Sequence, residues 1–157
     1  RRQRQMCIRD RADAYEIVVA LEGAAAERLA GQPAGSRGAT ADALAALTDA
    51  MEAALQDNDL AEWAAADEKF HETLVAACGN TRLQRMAGTI EDQLHRARMF
   101  TLKLRPLPVD SAGQHRAIVD ALRAGETAAA REAAAGHRRS ACSAILPLVR
   151  KLGLSRL

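Results

Sequence analysis

The sequence predicts an all-α protein, an antiparallel bundle of helices, on three observations. Alanine, the residue with the highest helix propensity, supplies 36 of the 157 residues. Aromatic side chains make up 3% of the chain, too few for the strands of a sandwich or barrel. Apolar residues, 48% of the total, recur at three- and four-residue intervals, which argues for helices and against disorder. A chain of 157 residues has the length of one compact domain.

Six helical segments follow in order. The first runs from about Asp10 to Ala30, with Val18, Leu21, Ala25 and Leu29 on one stripe. Composition makes Gly31–Gly38 a loop, and Thr40 is the expected cap of a second helix carrying Leu44, Leu47, Met51 and Leu55. Asn58 and Asp59 end that helix and cap a third, which reaches about Cys78. Gly79 suits a left-handed stop and Asn80 a new cap. The fourth helix holds Leu83, Met86, Ile90 and Leu94 and ends before Pro106 and Pro108. A fifth starts near Asp110 or Ser111 and stops around Gly125; a sixth continues to about Lys151, with a kink expected at Pro147. Short connections make sequential neighbours antiparallel.

Charge narrows the function. Residues 1–11 carry five arginines against one aspartate, a net +4, so the other 146 residues hold −2 of the total of +2. A slightly acidic body is a poor platform for nucleic acid, which favours a basic stripe on the fold. No apolar run reaches the roughly 18 residues of a membrane span, because Glu22, Glu27 and Arg28 interrupt the best one. Cys7, Cys78 and Cys142 are widely spaced and form no CxxC pair, which fits a reducing cytoplasm.

Four polar residues sit where the periodicity wants apolar ones. The third helix reads Trp63, Asp67, Phe70, Leu74, Ala77 along its inner stripe, and His71 lies one turn after Asp67. His115 lines up with Ser111, Ile118 and Leu122, and His137 with Ala130, Ala134, Ala141, Ile145 and Leu148. Burying a carboxylate and three imidazoles without partners costs on the order of several kcal/mol. His115 precedes Gly125 by 10 residues and His137 follows it by 12. At about 1.5 Å per residue, an antiparallel hairpin brings the two rings level to within roughly 3 Å. Asp67, His71, His115 and His137 are therefore candidate ligands of one divalent metal, with zinc first and nickel, iron or manganese as alternatives. Ordinary hydrogen-bonded core histidines are the plain alternative.

These residues resemble a known family. Asp67-Glu68-Lys69-Phe70-His71 matches the D-x-x-F-H signature of the FCD domain, the C-terminal effector-binding domain of the FadR subfamily of GntR-type bacterial transcriptional regulators. Gly79-Asn80 follows, and the run from His115 to Glu126 is similar to the family's H-x-x-I-x-x-A-I-x-x-G-D, with Leu122 and Glu126 as departures. Ala130 and His137 complete a likeness covering about residues 12–148. The resemblance implies six or seven antiparallel helices and a divalent metal on the four residues named. It also implies a small organic-acid or sugar-acid effector, a homodimer, and operator DNA held through a winged-helix domain that this chain lacks. Residues 1–11 then read as a basic linker remnant and 12–152 as the helical metal- and effector-binding domain, either excised or a stand-alone sensor.

Electrostatics favours an anionic effector independently, because a divalent ion with one aspartate and three neutral histidines leaves the site at +1. Arg98, four residues after Leu94, is the first candidate to pair with it. Arg96 is the second, although its phase turns it nearly the other way. A non-enzymatic sensor is the expected function. Its first rival is a ferritin-like metalloenzyme built on Glu68-x-x-His71 and Asp92-x-x-His95, which leaves His115 and His137 unused. A metal-free helical dimerisation module is the second. A metal-dependent hydrolase is the third, for which Glu68 and Glu72, the nearest bases, are in solvent-facing phase.

Overall fold

The computed structural model describes residues 8–104 and 107–151, and the described residues form six helices. These are α1 (Ile8–Ala30), α2 (Ala34–Gln56), α3 (Leu60–Ala77), α4 (Thr81–Leu102), α5 (Val109–Ala124) and α6 (Thr127–Lys151). Most of the expected basic linker, including Cys7, lies outside the described residues. The all-α bundle is as the sequence predicts. None of these helices is long and apolar enough to cross a membrane.

Local chemistry places the breaks. Asp59 accepts from the backbone N–H groups of Ala61 and Glu62, and Asn80 from those of Arg82 and Leu83, so both act as N-caps. Gly125 closes α5 with φ 74°, a conformation that a Cβ would strain.

Three expectations fail. The loop after α1 is confined to Gly31–Pro33, and α2 begins at Ala34. Thr40 does not cap it; its hydroxyl donates back to the carbonyl of Ser36 within the helix. The glycines at 35 and 38 face open space and are tolerated there. On α4 Met86 is exposed, and Ala87 takes the inner position instead. Ala87 and Leu83 pack with Ala25 and Cys78, and the small residue allows α1 and α4 to approach closely. Pro147 lies within α6, whose span runs on to Lys151.

The helices α1 and α6 pack along each other, α2 lies against α3 and α5, and α4 rests on α1, α3 and α6. The largest apolar core gathers Leu29, Leu44, Met51, Phe70, Leu74, Ile118, Leu122 and Ala134. A smaller one holds Tyr15, Val18, Leu94, Ile145 and Val149. Glu22, Asp67, His71, His115, His137 and Arg138, all buried, come from the same helices that build these cores.

Candidate metal centre

Helices α3, α5 and α6 deliver the four anomalous side chains to one place. Asp67 and His71 stand one turn apart on α3, His115 comes from α5 and His137 from α6, and all four are buried. One ligand atom from each lies within 4.8 Å of the other three. Asp67 Oδ1 is 3.6 Å from His115 Nε2 and 3.8 Å from His71 Nε2. The Nε2 atoms of His71 and His137 are 3.2 Å apart. Bonds of about 2.0–2.2 Å from one ion to four such ligands separate the ligand atoms by roughly 3–3.6 Å; the three nearest pairs, at 3.2–3.8 Å, are close to this, and the full set, within 4.8 Å, is slightly wider.

The outer nitrogens decide what the inner ones can do. His71 Nδ1 is 2.9 Å from a carboxylate oxygen of buried Glu22, which only accepts, so the proton of that ring sits on Nδ1. His137 Nδ1 donates in the same way to Gln114 Oε1 at 3.0 Å. Each ring therefore turns a bare Nε2 lone pair toward the other. Nε2 of His115 is buried without a hydrogen-bond partner, and its Nδ1 lies 3.5 Å from the Ser111 hydroxyl. Two lone pairs, on His71 and His137, face each other at 3.2 Å beside the Asp67 oxygen and the unpartnered His115 Nε2, an arrangement that a cation between them relieves. The donor set thus fits a divalent metal, and partners on the outer ring nitrogens are what a ligating histidine requires.

Burial holds the three imidazoles in the neutral form that ligation needs. It drives His71 and His137 well below the ordinary histidine range, helped by Arg138 at His71 and by the neighbouring rings at His137. His115 is lowered for the same reason. At Asp67 burial pushes upward, but His71, Arg98, His115 and Arg138 together outweigh it and keep the carboxyl below its usual value. The acid is thus ionised and the bases are neutral.

A web of buried charge surrounds the cluster. Arg138 pairs with both Glu22 and Glu91. Arg98 reaches Glu91 at 3.3 Å and Asp67 at 3.8 Å, and its Nη1 is buried with no hydrogen bond. Beside the cluster opens a cavity of about 250 Å³ whose wall includes Asp67, Arg98, Ser111, Gln114, His137 and Ser140. Arg98 therefore combines burial with access to the cavity. Arg96 is exposed and lies outside its wall, since two residues of helix turn it away from Leu94.

Of the residues that suggested a carboxylate-bridged enzyme, Glu68, His71, Asp92 and His95, His71 alone joins the cluster. Glu68 lies 2.8 Å from His95, each with about two-fifths of its side chain exposed, and Asp92 is exposed. Sequence reasoning missed Glu22, Glu91, Gln114 and Arg138. Glu22 was detectable, because it falls on the stripe of Val18, Ala25 and Leu29 as Asp67 falls on its own. Arg138 shares the phase of Ala134, Ile145 and Val149. Gln114, adjacent to a ligand candidate but partly exposed, carried no such mark.

Residues 13–140 match the FCD domain family. Over 62 residues the chain is 58% identical to an uncharacterized HTH-type transcriptional regulator in the TAR-I ttuE-ttuC' intergenic region of Agrobacterium vitis. That match covers 40% of this chain and 36% of the relative, so the chain spans little more than a third of that protein's length.

Proposed function

The chain belongs to the FCD domain family, and on that premise we propose that it is the ligand-sensing module of a transcriptional regulator. Asp67, His71, His115 and His137 hold one divalent metal, with zinc first because its N/O donor set and four-coordinate preference suit three imidazoles and a carboxylate. A small carboxylate effector occupies the adjoining cavity. The convergence of three histidine Nε2 atoms and Asp67 Oδ1 carries this proposal.

The residues divide the work. Glu22, Gln114 and Ser111 orient the three rings from behind. A bound divalent ion would leave the site with net positive charge beside the cavity. Arg98, buried beside Glu91 and Asp67 with its Nη1 making no hydrogen bond, offers a guanidinium to an anion in the cavity. The effector then alters DNA binding by an attached winged-helix domain, in a dimer whose symmetry suits paired operator half-sites, within the cytoplasm. The role is binding, not catalysis: buried Glu22 and partly buried Glu91, the other acids beside the cluster, are already paired with Arg138.

Metal analysis of protein purified without added metal tests the site directly. One ion per chain is expected, with stoichiometric uptake lost in His115→Ala and in His137→Ala. Full uptake by either variant overturns the assignment, and two bridged ions per chain favour the metalloenzyme instead. Arg98→Met should retain the metal and lose carboxylate binding; unchanged carboxylate affinity removes Arg98 from the effector site.

A further inference from the structure

Of the residues that position the three rings, Gln114 differs from Glu22 in where it stands. Glu22 is fully buried and locked to Arg138, away from the cavity wall. Gln114 belongs to that wall, half-buried between His137 and the open space, near Arg98, Ser111 and Ser140. Its carboxamide has two ends in one rigid plane. The oxygen accepts from His137 Nδ1 at 3.0 Å, while the amide nitrogen has no hydrogen-bond partner among the described residues. A half-buried amide with one face spent on a ligand ring and two donors unspent is suited to read what enters beside it.

We propose that Gln114 couples the cavity to the metal cluster. Its Oε1 holds His137 with Nε2 bare toward the ion, and its amide N–H groups donate to an oxygen of a hydroxylated carboxylate in the cavity. This rests on the metal and effector sites proposed above. A ligand oxygen drawing on the N–H polarises the amide and makes its oxygen a stronger acceptor. The stronger acceptor raises the basicity of His137, and metal affinity rises with it. The coupling is reciprocal, so the metal tightens the carboxylate by the factor by which the carboxylate tightens the metal. Gln114 is thus a positioning residue and a specificity determinant for ligands that carry an acceptor oxygen near their carboxylate.

The test titrates metal-free protein with zinc, alone and with glycolate, which carries one carboxylate and one hydroxyl. Zinc affinity is read by competition with a chromophoric chelator, and thermal unfolding confirms that each variant folds. Gln114→Met keeps the side chain's length but removes both polar ends, and its zinc affinity should fall roughly 10- to 100-fold, the range for loss of such a supporting partner. Gln114→Glu restores an oxygen acceptor for His137 Nδ1 and should recover wild-type or tighter zinc binding. In the wild type glycolate should tighten zinc; in Gln114→Met that factor should shrink about threefold or more, a change that a merely structural role would not produce. Wild-type zinc affinity in Gln114→Met overturns the proposal. So does a glycolate factor equal in the two proteins, including a factor of one in both. A wild type that takes up no zinc fails one step earlier, at the cluster itself.

Discussion

The same three helices build two neighbouring regions by opposite means. On α3, Phe70 and Leu74 enter the apolar core while Asp67 and His71 enter the cluster. On α5, Ile118 and Leu122 follow His115 at helical spacing, and on α6 Ala130 and Ala134 precede His137 and Arg138. Phe70 joins the two regions, its ring centroid 4.3 Å from that of His115. The apolar side is held by removal of surface from water, which asks only for shape and volume. The polar side is held by named partners, and each buried charge is safe only while its counterpart stays. Deletion should therefore be graded and local in the first region, and abrupt in the second.

Removing the hub of the charge web gives the largest expected effect. Arg138→Met leaves buried Glu22 without its counter-charge and Glu91 with Arg98 alone, and loss of one partner of such a network costs about 3–5 kcal/mol. Urea unfolding measures it; a loss below about 1 kcal/mol would show that water or rearrangement compensates the two acids. Leu74→Ala probes the other region, where deleting a fully buried leucine costs about 2–5 kcal/mol. That loss should be the same with and without zinc, because Leu74 belongs to the apolar core. A zinc-dependent loss would mean that the two regions are mechanically coupled.

Metal removal comes next in size. Free zinc at 100 times its dissociation constant stabilises the folded state by about 2.7 kcal/mol, or roughly 5–10 °C in a domain of this length. Chelation should reverse this in the wild type and in Leu74→Ala. In His115→Ala the melting temperature should no longer respond to chelator. An equal chelator response in His115→Ala would place the stabilising ion elsewhere.

What the sequence disclosed follows the same division. Apolar periodicity and the caps at Asp59, Asn80 and Gly125 were legible, because each is a local property of the chain. Asp67, His71, His115 and His137 stood out as polar residues in apolar phase, and the structure buries all four together. Partners were harder to see. The links from Glu22 to His71 and from Gln114 to His137 span 49 and 23 residues, and no local pattern ties residues so far apart. Glycines misled at 35 and 38, where composition suggested a loop but Pro33 had already set the chain at the start of α2. Met86 misled because a helix stripe admits either of two adjacent residues, and packing against α1 chose Ala87.

The smallest effect is the most graded, and acid should draw it from the polar region alone. Burial lowers the three cluster histidines below their ordinary 6.5. In metal-free protein the unfolded chain then binds more protons than the folded one at pH values just under 6.5. Stability contributed by keeping these rings neutral is thus present above 6.5 and is lost as pH falls below it. Asp67 has the carboxylate pattern: its folded value lies below 3.8, so its contribution persists until much stronger acid. The first acid loss, between about pH 6.5 and 5, therefore belongs to the histidines. Melting temperature of chelated protein across that interval should fall steadily, and His137→Ala should fall less steeply, because one of the three unprotonated rings is gone. Leu74→Ala should start lower and follow the wild-type slope. A wild-type curve flat over this interval would mean that the rings take up protons equally well in the folded and unfolded chain, and that burial does not hold them neutral.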